Sequence, residues 1–367
     1  MIINELTGFS NRYGKDNDLV LAGGGNTSAK DGNTMYIKAS GTALAAITPE
    51  GFVKMDRTLL AAMFGKAYPQ EDSAREAAAL ADLMAARLPG EEAKRPSVET
   101  TLHALFPQTF VLHLHPALVN GLTCSRDGEK IAKELFGDDF VWVGLCKPGY
   151  ILAKLCDGLM REYASRTKKD VSILILQNHG VFVAADTTAG LNELLNRVMA
   201  AIGQRVTRTP DLSANGKMPE DAPAITAQLA SLYGKGSVAV FDNNNEILRF
   251  SQSVESAQPL LFPFTPDHIV YCKAYPLFIR GIDELEQGFR EYEGKNGYPP
   301  KIVIVKNMGF AATGKNEKDA LTAKLLFNDA IKVAVYAESF GGPLHMTQKL
   351  TDFIVNWEVE AYRQKQN

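Results

Sequence analysis

Short β-rich runs alternate with amphipathic helical patterns through the first 208 residues of the chain. Runs rich in β-branched and aromatic residues predict strands at 35–38, 110–115, 173–177 and 181–185. Apolar residues that recur every three or four positions predict helices at 73–88, 149–164 and 188–208. Because strands that alternate with helices are typical of α/β folds, residues 1–208 are predicted to form one α/β domain.

A polar segment at residues 209–223, rich in Pro, Gly, Asn and Asp, is interpreted as a linker. The patterns after it predict a smaller C-terminal α/β domain over 224–367, whose role the sequence does not indicate. Its predicted elements are a hairpin of strands 237–241 and 246–250, a strand 301–306, and helices 317–339 and 347–363. No internal repeat is visible in the sequence.

Composition narrows the classes of protein to which this chain can belong. The 39 Lys and Arg against 42 Asp and Glu give a net charge of -3, and no basic block indicates a nucleic-acid partner. No apolar run reaches the roughly 18 residues that span a bilayer, and residues 1–8 do not resemble a secretory signal. Four cysteines without CxxC spacing are typical of a reducing compartment. We therefore expect a cytoplasmic protein without a membrane partner.

The most informative motif is His113-Leu-His115, which lies at the end of a predicted strand. Since side chains alternate along a strand, both imidazoles share one face, where they could be metal ligands or a polar pair facing solvent. His179 interrupts an apolar run, and the following Gly180 permits a bulge or tight turn that can aim the ring. Together the three imidazoles predict an open site for Zn²⁺ or another divalent metal.

A carboxylate precedes the first two histidines in the segment Ser97-Val98-Glu99. Ser97 is predicted to cap a helix, with Glu99 in its first turn. Glu99 is then either a metal ligand or the general base, and the sequence does not choose between these roles. His103 lies one turn further along the same helix face, where it could support the site or be purely structural.

Two glycine-rich segments offer backbone N–H groups and hydroxyls to an anion. The first leads into Asn26, Thr27 and Ser28, and the second contains Ser40 and Gly41. The first is not a dinucleotide fingerprint, because Ser28 occupies the position of its third glycine. With Ser97, these segments predict a pocket for a phosphate or carboxylate.

The C-terminal domain contains a second set of candidate residues. Residues 309–316 nearly match a phosphate-binding P-loop, but Asn316 replaces the hydroxyl residue that binds Mg²⁺. A strand-to-helix turn is therefore favoured over nucleotide binding, although Lys315 could contact an anion. His268 belongs to a polar cluster in an aromatic segment, where a turn histidine is the simplest interpretation.

In their order along the chain, the motifs resemble those of the class II aldolase/adducin family. These motifs are Gly-Gly-Asn-Thr-Ser at 24–28, Ser-Gly at 40–41, Pro-Ser-Val-Glu at 96–99, His-Leu-His-Pro at 113–116 and Asn-His-Gly at 178–180. The resemblance covers about residues 1–208, and residues 224–367 look like the segment that follows the aldolase part of bifunctional rhamnulose-1-phosphate aldolase/dehydrogenases.

This resemblance implies a three-layer α/β/α sandwich with a largely antiparallel central sheet. It also implies that the three histidines hold Zn²⁺ and that Glu99 is the acid/base and a candidate metal ligand. The implied reaction is cleavage of a ketose 1-phosphate, such as rhamnulose 1-phosphate, to dihydroxyacetone phosphate and an aldehyde through a metal-stabilised enediolate. The phosphate would lie on the loops 26–28 and 40–42 with Ser97, and the implied assembly is a homo-oligomer. His268 and Lys315 are further candidates to support the site.

One departure and several alternatives stand beside this interpretation. Val98 occupies a position where sugar-phosphate aldolases of the family carry a second serine, which removes one hydroxyl from the phosphate pocket. Epimerases and dehydratases of the family share the metal triad. A non-catalytic, adducin-like interaction module is an alternative of another class, although it has no need of three ligand histidines.

Overall fold

The computed structural model describes residues 1–356 and divides the chain into two compact units. The first unit comprises Met1–Thr123 and Gly128–Arg205, and the second comprises Cys124–Asp127 and residues 206–356. The segment predicted to be a linker belongs to the second unit, because Ala214 bridges to Asn244 there. The chain passes from the first unit to the second at 205–206, just before the predicted linker begins.

A seven-stranded mixed sheet forms the centre of the first unit, with strand order β3-β2-β1-β4-β7-β6-β5. Only the β5–β6 pair is parallel, and the other five pairs are antiparallel. The strands are β1 (Asn26–Asp31), β2 (Thr34–Lys38), β3 (Phe52–Asp56), β4 (Phe110–Leu114), β5 (Val141–Val143), β6 (Ile173–Leu176) and β7 (Gly180–Ala185).

Helices cover both faces of this sheet. They are α1 (Ile2–Gly14), α2 (Arg57–Met63), α3 (Asp72–Ala85), α4 (Thr100–Leu105), α5 (Ala117–Thr123), α6 (Gly128–Phe136), α7 (Tyr150–Thr167) and α8 (Thr188–Gly203). On one face α4 and α7 enclose an apolar cluster with the side chains of β5 and β6, and on the other α8 packs against β4 and β7. The first unit is a three-layer α/β/α sandwich with a largely antiparallel sheet.

The strands predicted for the first unit are all present, and their buried side chains alternate between the two helical layers. Val111 of β4 joins the cluster under α4 and α7, whereas Phe110 packs edge-on against Phe9 of α1 with ring centroids 5.7 Å apart. His113 is two residues after Val111, so its side chain points into the layer that contains α4. The predicted helix 188–208 ends at Gly203, five residues early.

The second unit contains a four-stranded sheet with order β8-β11-β10-β9. Its strands are β8 (Val238–Asp242), β9 (Leu277–Ile279), β10 (Ile302–Val305) and β11 (Gly309–Gly314). Its helices are α9 (Ala222–Tyr233), α10 (Asn245–Phe250), α11 (Val254–Ala257), α12 (Pro266–Cys272), α13 (Leu285–Asn296), α14 (Glu317–Ala337) and α15 (Gln348–Val355). α9 and α13 form an apolar cluster with one face of the sheet.

Three predictions for the second unit need correction. Residues 246–250 are not a strand, because Asn244 caps α10 by accepting a hydrogen bond from the Ile247 N–H (3.0 Å). The strand-to-helix turn predicted over 309–316 is much shorter, because Gly309–Gly314 is strand β11 and Asn316 already caps α14. The predicted helix 347–363 is described as Gln348–Val355, and residues 357–363 lie outside the described residues.

Within residues 1–356, no helix is both long enough and apolar enough to cross a membrane.

Candidate metal centre

Three imidazoles converge at one end of the central strands of the first unit. His113 is in β4, His115 is the first residue after that strand, and His179 lies in the turn between β6 and β7. One ring nitrogen of each histidine lies within 4.8 Å of the other two, and the Nε2 atoms of His113 and His115 are 2.8 Å apart. Three nitrogen ligands at this spacing are typical of a divalent transition-metal site with room for substrate.

The β6–β7 turn brings the third histidine to the strand that carries the other two. Asn178 has a left-handed backbone (φ 55°), which Asn tolerates better than most residues. Gly180 starts β7 so close to β4 that a Cβ there would overlap the Leu114 carbonyl oxygen and lie 2.8 Å from His115 Cδ2. The sequence Asn-His-Gly thus makes a tight turn, one of the two conformations that the sequence allowed.

Neighbouring groups hold the His113 ring in the form that binds metals. Its Nδ1 donates to the Val181 carbonyl oxygen (3.1 Å), so the Nε2 lone pair is directed toward the other histidines. Phe182 of β7 stacks on the ring at a centroid distance of 3.9 Å. Burial lowers the pKa of His113, an effect that Glu99 opposes, and this favours the neutral imidazole.

Glu99 places a carboxylate against two of the three imidazoles. Its Oε1 lies 3.3 Å from Nε2 of both His113 and His179, and the side chain is only 10% exposed. Burial acts to raise the pKa of Glu99, but the neighbouring histidines outweigh it and hold this pKa well below its usual range. Oε1 is buried and has no hydrogen-bond partner among residues 1–356. An acceptor atom that faces imidazole nitrogens without a proton donor fits a shared cation.

A chain of hydrogen bonds orients the second oxygen of Glu99. Asn26 Nδ2 donates to Glu99 Oε2 (2.6 Å), and Asn26 Oδ1 accepts from His103 Nε2. This leaves His103 Nδ1 to accept from the Ser28 hydroxyl (2.8 Å). Burial lowers the pKa of His103 well below its usual value, which keeps the ring neutral. His103 therefore acts on Glu99 through Asn26.

The cap predicted at the start of α4 is wrong in its register. Glu99, and not Ser97, is the N-cap residue, and its side chain makes no capping bond. Ser97 Oγ instead accepts from the Glu99 N–H (3.3 Å) and from Asn26 Nδ2 (3.2 Å). The Glu99 carboxylate is thereby available to the histidines, because it does not fold back onto the helix.

The two glycine-rich segments are joined by Lys38, to which the sequence analysis assigned no role. Its ammonium donates to the carbonyl oxygens of Gly23 (2.9 Å) and Thr42 (2.8 Å), and the residue is buried. The Ser40 N–H donates to the Arg95 carbonyl oxygen (2.8 Å) in the segment that leads to Ser97. The structure thus brings three predicted anion-binding segments together. A lysine two residues before the Ser-Gly turn was the available signal.

The predicted contribution of Thr27 and Ser28 to a phosphate loop is wrong. Both residues lie within β1 and are fully buried. Thr27 points toward α1, where its hydroxyl pairs with that of Ser10 (2.7 Å), and the Ser28 hydroxyl is bonded to His103. Ser40 is partly exposed and Gly41 is exposed, with φ 82°, so the second loop remains open to a ligand.

His268 and Lys315 lie in the second unit, where their partners are local. His268 Nε2 pairs with Asp329 Oδ2 at 3.0 Å, and both residues are buried. The Lys315 N–H donates to Asp319 Oδ2 (3.0 Å). That either residue supports the metal centre remains a prediction.

Comparisons with known proteins identify the family of the chain. A family model described as Class II Aldolase and Adducin N-terminal domain matches residues 5–199. The uncharacterized oxidoreductase YuxG of Bacillus subtilis (strain 168) is 23% identical over 416 residues, a match that covers 98% of this chain and 58% of YuxG. The chain thus spans less than two thirds of that relative.

Two solved structures resemble a little more than half of this chain. The N-terminal class II aldolase domain of a conserved Thermoplasma acidophilum protein is 28% identical, with a TM-score of 0.46, and covers 55% of this chain and 92% of its own. An L-fuculose-1-phosphate aldolase from Thermus thermophilus is 15% identical, with a TM-score of 0.35, and covers 54% of this chain and 92% of its own. Since the family model matches more than half of its 367 residues, the chain belongs to the class II aldolase and adducin family.

Proposed function

We propose that the protein is a Zn²⁺-dependent aldolase that cleaves a ketose 1-phosphate, such as rhamnulose 1-phosphate, to dihydroxyacetone phosphate and an aldehyde. The observation that carries the proposal is the buried Glu99 Oε1, which faces the Nε2 atoms of His113 and His179 at 3.3 Å. Membership of the class II aldolase and adducin family supports an aldolase-type reaction.

The three histidines and Glu99 fit a divalent metal. Imidazole nitrogens suit Zn²⁺, and the Val181 carbonyl fixes one ring with its lone pair toward the centre. When bound, the ion supplies a Lewis acid beside the substrate carbonyl. The ring of Phe182 stacks on His113 and excludes water from that side of the imidazole.

Glu99 is the group we assign to proton transfer. When the carbon–carbon bond breaks, the hydroxyl of the departing aldehyde loses its proton. The electron pair of the broken bond stays on the three-carbon fragment. A proton must then reach the carbon of that fragment. The Glu99 carboxylate is held by Asn26 on one oxygen, which leaves Oε1 to carry this proton at the centre.

The joined glycine-rich segments are the proposed place for the substrate phosphate. The buried ammonium of Lys38 gives this region a positive charge, and the turn at Gly41 is exposed to a ligand. Ser97 lies beside both and is hydrogen-bonded to Asn26. Val98 contributes no hydroxyl to this pocket.

The test is release of dihydroxyacetone phosphate from a panel of ketose 1-phosphates, with and without chelator and with metal added back. We expect the chelator to abolish release and Zn²⁺ to restore it. Glu99→Gln should lower kcat by roughly 100-fold or more, the scale of general acid–base catalysis. Glu92→Gln, at an exposed carboxylate seven residues earlier, is the matched control and should leave kcat unchanged.

Other outcomes identify the alternatives. Isomerised sugar without a three-carbon product would favour an epimerase, and loss of water would favour a dehydratase. A protein that binds no metal and releases no product would contradict both the metal site and the proposed reaction. We also propose a symmetric homo-oligomer, which sedimentation velocity measures directly.

A further inference from the structure

The sheet of the second unit has the topology of one half of the sheet in the first unit. Strand order β4-β7-β6-β5 in the first unit corresponds to β8-β11-β10-β9 in the second. In both, the first two pairs are antiparallel and the last pair is parallel. Each half-sheet therefore contains a central hairpin, β6–β7 or β10–β11, between a flanking antiparallel strand and a parallel edge strand.

The registers of these pairs also coincide. His113 faces Phe182 across β4 and β7, and Phe241 faces Ala311 across β8 and β11. Leu176 pairs with Gly180 at the end of one hairpin, and Val305 with Gly309 at the end of the other. A single alignment, with a shift of 129 residues in the hairpin and 128 in the flanking strand, accounts for all of these pairs.

The turns of the two hairpins match in conformation and in their contacts. Asn178 and Asn307 both have φ 55°. The Asn178 N–H donates to the Thr123 carbonyl oxygen (3.2 Å), and the Asn307 N–H donates to that of Ser251 (2.9 Å). Thr123 and Ser251 are themselves related by the same shift of 128 residues.

The glycine after each turn makes the same close approach. A Cβ on Gly180 would overlap the Leu114 carbonyl oxygen, and a Cβ on Gly309 would overlap the Asp242 carbonyl oxygen. After the second strand of each hairpin, a polar residue caps the next helix at the equivalent position, Thr187 for α8 and Asn316 for α14. The agreement of register, turn, close approach and cap shows that the two half-sheets are structural repeats. The prediction that the chain has no internal repeat is wrong.

The alignment places no histidine at any of the three positions that correspond to the metal-binding histidines. Phe241 stands at the position of His113, Asn243 at that of His115, and Met308 at that of His179. We propose that these three residues form a vestigial metal site, that is, the metal-binding scaffold of the first unit with its histidines replaced. The whole chain would then bind one divalent ion at its histidine positions, in the first unit.

Packing and hydrogen bonds take the place of ligation in this vestigial metal site. Phe241 belongs to the apolar cluster of the second unit, and Met308 packs against that cluster. In the second unit the phenylalanine of this residue pair is Phe241 in β8, which faces the small Ala311 in β11. In the first unit the phenylalanine is Phe182 in β7, which faces His113 in β4. Asn243 Nδ2 donates to the carbonyl oxygens of Asn215 (3.1 Å) and Lys217 (3.2 Å), which joins the loop after β8 to the 213–217 segment.

The proposal is tested by returning the histidines to the second unit. The full chain carrying His113→Ala, His115→Ala and His179→Ala serves as a background in which the first site is removed. In this background we expect Phe241→His/Asn243→His/Met308→His to raise bound Co²⁺ from none to one ion per chain, with the visible absorption of cobalt held by imidazoles. In the otherwise unaltered chain, the same three substitutions should raise bound Zn²⁺ from one ion to two.

A smaller variant keeps the proposal testable if replacement of Phe241 prevents folding. Asn243→His/Met308→His leaves Phe241 in the core and should bind Co²⁺ at least tenfold more tightly than its background. Its matched control is Val240→His/Met308→His, which places one histidine on the opposite face of β8. A folded three-histidine variant without cobalt, or a two-histidine variant that binds no better than this control, overturns the proposal. Neither measurement depends on the reaction proposed for the first unit.

Discussion

Removal of the Asn26 side chain should destabilise the first unit through two groups at once. Asn26→Ala deletes the donor to Glu99 Oε2, a hydrogen bond of 2.6 Å, and the acceptor of His103 Nε2–H. Hydrogen bonds to a charged group contribute roughly 1.5–3 kcal/mol, and a buried donor left without a partner costs roughly 1–3 kcal/mol. Since Glu99 is 10% exposed, water can replace part of the lost hydrogen bonding to its carboxylate. We therefore expect the free energy of unfolding to fall by about 3 kcal/mol.

Thermal unfolding of metal-free protein, followed by circular dichroism, measures this loss. For a unit of about 200 residues, 3 kcal/mol corresponds to a fall in Tm of about 6–12 °C. Asn33→Ala is the control, because Asn33 is exposed and bonds to Asp56 and Thr58 at the surface, and it should shift Tm by less than about 3 °C. A Tm for Asn26→Ala within about 2 °C of the unaltered protein would refute the hydrogen-bonded chain from His103 to Glu99.

Three further predictions concern the metal, the hairpin and pH. His179→Ala should lower Zn²⁺ affinity by about 100-fold in a competition titration, since it removes one of three nitrogen ligands. Gly180→Ala should lower the free energy of unfolding in urea by about 2–3 kcal/mol, because the added Cβ would overlap β4. Gly158→Ala in α7 is the control, since its Cβ would lie in open space and should stabilise the protein slightly. Equal effects of the two substitutions would contradict the close approach of Gly180 to β4. Burial lowers the pKa of Lys30 to about 7, so between pH 7 and 10 the unfolded state binds more protons and stability should rise by roughly 3–5 kcal/mol. Lys30→Met should remove this rise in unfolding measured across that range.

Much of the metal centre follows from local rules of the chain. The period of two along a strand puts His113 and His115 on one face, and Asn-His-Gly makes a turn that carries His179. Local rules do not show which strand pairs with β4. The pairing of β4 with β7, which brings His179 to the other two histidines, is a long-range contact that the sequence alone does not indicate.

The errors arise where a local pattern has two solutions. A run of glycines before Asn26 indicates a loop, but the strand begins at once, so Thr27 turns inward to Ser10. Residues 246–250 include the strand-forming residues Ile247 and Phe250, yet an asparagine cap starts a helix there. The repeat was missed because few of its residues are identical, and two of the identical pairs, Asn178 with Asn307 and Gly180 with Gly309, matter for backbone geometry and not for composition.

The buried ammonium of Lys38 has a consequence for how tightly an anion can bind. Because it holds the carbonyl oxygens of Gly23 and Thr42 together, the two glycine-rich loops cannot rearrange independently. Their conformational entropy is already lost on folding, so an incoming phosphate does not have to order them. Replacing Lys38 would therefore slow and weaken anion capture even if no atom of the lysine touches the ligand, because two separately mobile loops would have to meet around it.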